Sequence, residues 1–221
     1  MKNDLSLEAV RRNPKVKTLI EAANTQMNAI GYTEHGFRHA GMVSERAKQL
    51  MLSLTADQKQ AELAAIAGFL HDIGNAVNRN AHPETSATIS FVILNEMGFD
   101  CKDIIEIIGA IGNHEEDQGL HVSAISSALI IADKSDVHLS RVQNRNALTF
   151  DIHDRVNYSV RKSELVVDDT NKTISLQLTT DEQSATVMEY FEIFLSRMLM
   201  CRRAADYFGY KFKLVINNVD M

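Results

Sequence analysis

The sequence predicts a mainly α protein: a helical bundle followed by a small C-terminal α+β unit. Three observations predict it. Two prolines and ten glycines are spread over 221 residues, which favours long helices. Up to about residue 148, apolar residues recur at three- and four-residue spacing. After that the pattern turns to clustered β-formers around one long helical stretch. The division that follows is residues 1–148 for the bundle and 149–221 for a ββαβ unit.

Val16, Leu19, Ile20, Ala23, Met27 and Ile30 share one face of a first helix over residues 15–30, and Gly31 supplies its stop. A second helix over residues 37–54 gathers Ala40, Val43, Ala47, Leu50 and Met51, and Thr55 then reads as the N-cap of a third. That third segment is apolar nearly all round over residues 61–70, the mark of a helix buried on most sides. It ends on His71-Asp72, with Gly74 following. Residues 84–97 form another helix, closed by Gly98. Asp100 caps the next, which runs through Ile104, Ile107, Ile108 and Ile111 to His114. Ser123 opens a helix through Ala128, Leu129, Ile130 and Ile131 into Asp133 and Lys134. Residues 155–167 and 173–178 then read as strands joined by the turn residues 168–172. Residues 184–207 read as a long helix and 212–216 as a last strand.

With 45% hydrophobic residues the chain can bury one sizeable core. A net charge of -6 argues against a surface that coats extended nucleic acid, while leaving room for a local basic pocket for phosphate. Cys101 and Cys201 lie far apart and make neither a disulfide framework nor a zinc-knuckle spacing. The first residues carry no apolar signal-peptide core, and the longest apolar runs are too short for a bilayer. The expectation is a cytoplasmic protein with no membrane partner.

Buried helices deliver His39, His71-Asp72, His114 and Asp133 from four segments. Imidazole and carboxylate together suit a divalent transition metal. In an adjacent His-Asp pair, one carboxylate can bridge two metals while the imidazole binds one of them. A carboxylate on an apolar helix also needs a partner, because leaving it unpaired is costly. A second pair, His153-Asp154, follows no buried helix and reads as a solvated turn. Glu115 is a candidate proton donor or hydrogen-bond partner to a histidine, and the run Glu115-Glu116-Asp117 reads as a solvated loop. His35 lies four residues before His39. Lys134 can pair with a phosphate oxygen or with Asp72. Arg141 and Arg145 read either as phosphate contacts or as an exposed basic face, and His121 and His138 as structural or exposed. Met188, Met198 and Met200 with Phe191 and Phe194 make an apolar stripe suited to core packing or a dimer surface.

Five pieces occur in order: Arg38-His39-Ala40, Phe69-Leu70-His71-Asp72-Ile73-Gly74, His82-Pro83-Glu84, Asn113-His114-Glu115 and Ile131-Ala132-Asp133. The ordered set resembles the HD-domain metal-dependent phosphohydrolase superfamily over roughly residues 32 to 145. The resemblance implies an HD-type helical bundle. It gives His39, His71, Asp72 and Asp133 the role of metal ligands, and adds His82 and His114 where two metals are bound. The implied cofactor is one or two divalent ions of Fe, Mn, Ni, Co or Zn. The implied activity is hydrolysis of a phosphate ester or anhydride of a nucleotide or similar small molecule. From their positions beside the ligands, Asp72 and Lys134 read as catalytic and His35 and Arg141 as binding substrate. Asn75 stands where several branches, the cyclic-dinucleotide phosphodiesterases among them, carry a phosphate-binding lysine. That departure tells against cyclic-dinucleotide hydrolysis; dinucleoside tetraphosphates stay among the candidates. Two alternatives remain open at this point: a nucleotide-binding sensor without turnover, and a di-iron oxygenase. A homodimer through a strand edge or the methionine-rich helix is also open.

Overall fold

In the computed structural model, residues 5–116 and 119–221 are described. The bundle begins with α1 (Leu7–Arg12), a short helix absent from the sequence reading, and α2 (Pro14–Ala29). Asn13 accepts from the Lys15 amide as the N-cap of α2, and Pro14 occupies the first turn, where its missing N–H costs nothing. Helix α3 (Phe37–Thr55) and α4 (Gln58–Leu70) pack face to face. A Cβ on Gly68 would stand 2.9 Å from the Ser44 backbone, so glycine permits this close crossing. The expected cap at Thr55 is corrected: Thr55 is the last residue of α3 and donates its hydroxyl to the Met51 carbonyl. Asp57 caps α4 instead, accepting from the Gln60 amide.

Helix α4 is buried all round from Leu63 to Leu70. It is followed by a single 3-10 turn (Ile73–Ala76), then α5 (His82–Met97), α6 (Cys101–Gly112) and α7 (Ala124–Lys134). Asp100 and Ser123 cap α6 and α7 as the sequence predicts.

The main difference from the sequence reading lies at residues 152–159. This segment is a helix, α8 (Ile152–Ser159), and the first strand, β1 (Val160–Asp168), starts only after it. Asp151 caps α8 by accepting from the Asp154 amide, and Val156 and Asn157 turn inward. In so short an amphipathic helix, Val156, Tyr158 and Val160 also fit a strand's alternation, so periodicity alone could not decide.

Strand β2 (Thr173–Thr180) pairs antiparallel with β1. Helix α9 (Val187–Tyr207) then crosses over, so that β3 (Lys211–Ile216) lies parallel to β2. A two-residue strand, β4 (Val219–Asp220), adds to β3. Ile174, Leu176, Leu178, Leu214 and Ile216 form the buried face of the sheet. They join the bundle residues in one continuous core cluster. The architecture is thus a helical bundle with a small α+β appendage. Among the described residues no helix is long and apolar enough to cross a membrane.

Candidate metal centre

Four imidazoles and two carboxylates meet where five chain segments converge. His39 comes from the first turn of α3, His71 and Asp72 from the end of α4, His82 from the start of α5, His114 from just past α6, and Asp133 from the end of α7. They form three overlapping triplets, His39/His71/Asp72, His71/His114/Asp133 and Asp72/His82/His114, whose ligand atoms lie within 4.8 Å of one another. All four histidines are buried.

Each imidazole is held the same way. Nδ1–H donates to an acceptor that has no hydrogen of its own: Asp136 for His39 (2.6 Å), and the carbonyls of Gly68 for His71 (2.9 Å), Arg79 for His82 (3.0 Å) and Ile111 for His114 (2.6 Å). That assigns the proton to Nδ1 and leaves Nε2 facing the centre, the arrangement that orients a ligating histidine. The Nε2 atoms of His39 and His71 stand 3.2 Å apart, and those of His82 and His114 3.1 Å.

Asp72 lies between these two pairs. Its Oδ2 is 3.4 Å from His39 Nε2 and 3.2 Å from His71 Nε2, while its Oδ1 is 3.4 Å from His82 Nε2 and 3.9 Å from His114 Nε2. One carboxylate thus offers an oxygen to each side. Asp133 is on the His39/His71 side, with Oδ1 3.3 Å from His39 Nε2. Its Oδ2 takes the Lys134 ammonium at 2.7 Å.

The electrostatics of the two sides differ. Burial disfavours a charged His71, but Asp72 and Asp133 outweigh it and raise His71 to about 10. Burial and Arg141 pull His39 down, yet Asp133, Asp136 and Asp72 lift it above the usual histidine value. On the other side burial prevails: His114 is held well below its ordinary value, with His71 and Lys134 adding to the effect, and His82 is lowered by burial and by Arg79. Burial alone would raise both aspartates. The His71 charge draws Asp72 well below the carboxylate range, and Lys134 with His39 does the same for Asp133. A cluster of lone pairs and carboxylates balanced only by borrowed protons is the donor set a divalent cation completes.

Residues around this cluster hold it in place. Asp136, absent from the sequence-based candidates, receives His39 and also the Arg38 guanidinium through both oxygens (2.7 and 3.2 Å). Its only local signal is the three-residue step from Asp133. Asn75 is fully buried and donates Nδ2 to Asp72 Oδ1 at 2.9 Å, so it steadies the shared carboxylate. Gly74 admits α5 against the 3-10 turn, since a Cβ there would stand 2.4 Å from the His82 carbonyl.

A cavity of about 330 Å3 opens over the centre. His35, Lys134 and Arg141 all line it, as do Arg79 and Arg197. His35 precedes α3 and donates Nδ1–H to the Thr33 carbonyl (2.6 Å), with its ring edge-on to His39. Lys134 pairs with Asp133 and Glu116. Arg141 is buried, and donates to the carbonyls of Asp136 and Glu34. The exposed-face reading therefore fits Arg145, which is exposed, and not Arg141. Glu115 stands 3.2 Å from His82 Nε2. Despite its burial, Lys134 and Arg79 hold Glu115 down to about 2, and it stands as a partner to His82. Glu116 is half-buried between Lys134 and Arg197, which corrects its reading as part of a solvated loop. Asp117, the last of that acidic run, lies outside the described residues.

The solvated-turn reading of His153-Asp154 is corrected in part: His153 is exposed, but the pair is helical and Asp154 is buried. The pair sits in the first turn of α8, where Asp154 accepts from Asn144 while His153 lines the cavity. Neither joins the metal-binding triplets. His121 stacks edge-on against Tyr207, and His138 caps the turn Leu139–Arg141. In the apolar stripe of α9, Phe194, Met198 and Met200 are buried and Met188 is exposed.

The HD-domain family model matches residues 36–140, the stretch that carries all six converging ligands. That stretch, just under half of the chain, is similar to an HD domain. The ordered residues of the matched stretch share a common centre. An uncharacterized protein of Methanocaldococcus jannaschii is 27% identical over 153 residues, which cover 59% of this chain and 58% of that relative. The chain thus spans less than two thirds of that relative's length.

Proposed function

We propose that this chain is an HD-type metal-dependent hydrolase of a phosphate ester or anhydride, carried by a nucleotide or a similar small molecule. The observation that carries the proposal is Asp72, whose two oxygens face separate histidine pairs with every Nε2 turned toward them. That arrangement supports two ion positions sharing one carboxylate: His39, His71 and Asp133 with Asp72 on one side, His82 and His114 with Asp72 on the other. The donor set fits Fe, Mn, Ni, Co or Zn, in which imidazole nitrogen and carboxylate oxygen bind together. Such an ion supplies a water acidified toward neutral pH and a Lewis acid for phosphoryl oxygens.

The chain's own residues supply the rest. Asp72, steadied by Asn75, holds the two halves in register and is placed to orient the nucleophilic water. Lys134 neutralises Asp133 and puts a cation at the cavity wall, where charge on the phosphoryl group is offset. Neutral His35 presents Nε2 as a hydrogen-bond partner for substrate, and Arg141 adds positive potential at the cavity wall. The test is turnover of p-nitrophenyl phosphate and bis-p-nitrophenyl phosphate after chelation and reloading with manganese, iron or nickel. Hydrolysis that appears on reloading, with and without oxygen, supports the proposal; turnover that needs oxygen would assign the site to oxidative chemistry.

A further inference from the structure

The cavity over the centre is not closed by the HD domain alone. Asp72, His114 and Asp133 form its floor, while Phe194 and Arg197 reach it from α9, more than fifty residues beyond the HD match. We infer that Arg197 is a substrate-binding residue that grips the anionic phosphoryl group, so that the C-terminal unit is part of the active site. The inference rests on the hydrolase reading above and extends it to a residue outside the family match.

Two contacts hold the Arg197 guanidinium. Nε lies 2.8 Å from Glu116 Oε1, and the group sits over the Phe194 ring, 4.8 Å from its centre. Among the described residues no hydrogen bond is made by its two terminal nitrogens, which keep four N–H donors in a planar fork. Such a fork matches two oxygens of a phosphate, and a guanidinium already fixed through Nε and one face loses little freedom on binding. The side chain is 28% exposed, so water and solute reach it.

Glu116 connects this arginine to the metal centre. The same Oε1 lies 3.2 Å from Lys134 Nζ, and Lys134 is 2.7 Å from Asp133. A charge relay of alternating sign, Asp133–Lys134–Glu116–Arg197, thus sets the position of α9 against α7. Its two carboxylates and two cations balance, and Arg197 is the cation at its outer end, lining the cavity. A phosphate seated in this cavity shares its lining with both Arg197 and the residues of the metal centre.

The test is calorimetric titration of inorganic phosphate into the manganese-loaded full chain, its R197Q variant and its R197K variant. Steady-state turnover of p-nitrophenyl phosphate accompanies it. R197Q is expected to weaken phosphate binding and raise KM by about tenfold or more, the usual loss for a charge-assisted hydrogen bond. Its kcat and metal content should stay near those of the native chain. R197K keeps a cation beside Glu116 without the fork, so it should fold and lie between the two; it carries the test if R197Q does not fold. Phosphate affinity within twofold of the native chain in both variants would overturn the inference, as would a native chain that binds no phosphate. The hydrolase reading fails separately: phosphate binding that depends on Arg197, without turnover of any phosphate ester, leaves Arg197 as the anion site of a non-hydrolytic centre.

Discussion

The Nδ1–H of His39 donates to Oδ2 of Asp136 at 2.6 Å, and both groups are almost completely buried. Asp136 stands on the far side of the ring from the centre, so it fixes both the tautomer and the direction of Nε2. Replacing a carboxylate in this position commonly costs 10- to 100-fold in metal affinity. Asp136→Asn keeps the shape but removes the charge that also pairs with Arg38. It is expected to weaken metal binding by about tenfold or more, read by competition with a chelating dye. Unchanged affinity would show that His39 needs no such orientation.

Metal binding should release protons. With no metal, His71 lies at about 10 and is charged at pH 7, and it must give up that proton to offer Nε2. Calorimetry in buffers of different ionisation enthalpy should report release of about one proton or more per chain at pH 7. The same shift sets a pH window for the metal-free protein. His71 is raised above its ordinary 6.5, so its contribution to stability is complete below that value and is lost as pH rises through about 10. Asp72 and Asp133 are depressed below 3.8, so theirs is present above that value and is lost on acidification. Thermal melts of the chelated protein should therefore show Tm falling as pH rises between about 7 and 10, and the fall should shrink in an Asp72→Asn variant.

Asn75 tests the holding of the shared carboxylate. Asn75→Ala removes the amide that donates to Asp72 Oδ1 and leaves that oxygen one donor short. A hydrogen bond to a charged group is worth about 1.5–3 kcal/mol, so a 10- to 100-fold loss in kcat/KM is expected. Metal content measured alongside tells whether the loss comes from a displaced Asp72 or from a lost ion.

Gly74 tests the packing beneath the His82/His114 side. A Cβ at this position would stand 2.4 Å from the His82 carbonyl and 2.6 Å from the Ser86 amide, both backbone atoms. Gly74→Ala must push α5 outward and carry His82 away from Asp72. Destabilisation of about 2 kcal/mol or more is expected from denaturant unfolding, as for other overpacked core sites. Metal stoichiometry should fall toward one ion.

Much of this was legible in the chain because each ligand stands at the end of an apolar run. His71-Asp72 follows the helix buried all round, His114 follows α6, and Asp133 closes α7. The surrounding residues were harder to read because their roles depend on tertiary approach. Asp136 looks like any acid after a helix until α3 brings His39 to it. Asn75 reads as a missing lysine until the 3-10 turn folds it back onto Asp72. Arg197 has no local signal, since only the crossing of α9 over α7 places it on the cavity. At Thr55 a good cap residue was outcompeted by Asp57, and at 152–159 a short helix shared its spacing with a strand.

In the proposed function, Asp72 organises a hydrolytic metal centre from both sides. The most direct measurement compares native and Asp72→Ala chains, each chelated and reloaded with manganese, for bound metal and for turnover of p-nitrophenyl phosphate and its diester. Hydrolysis by the reloaded native chain is expected, with loss of both metal and turnover in the variant. An Asp72→Ala chain with full metal content and an undiminished rate would contradict this role of Asp72.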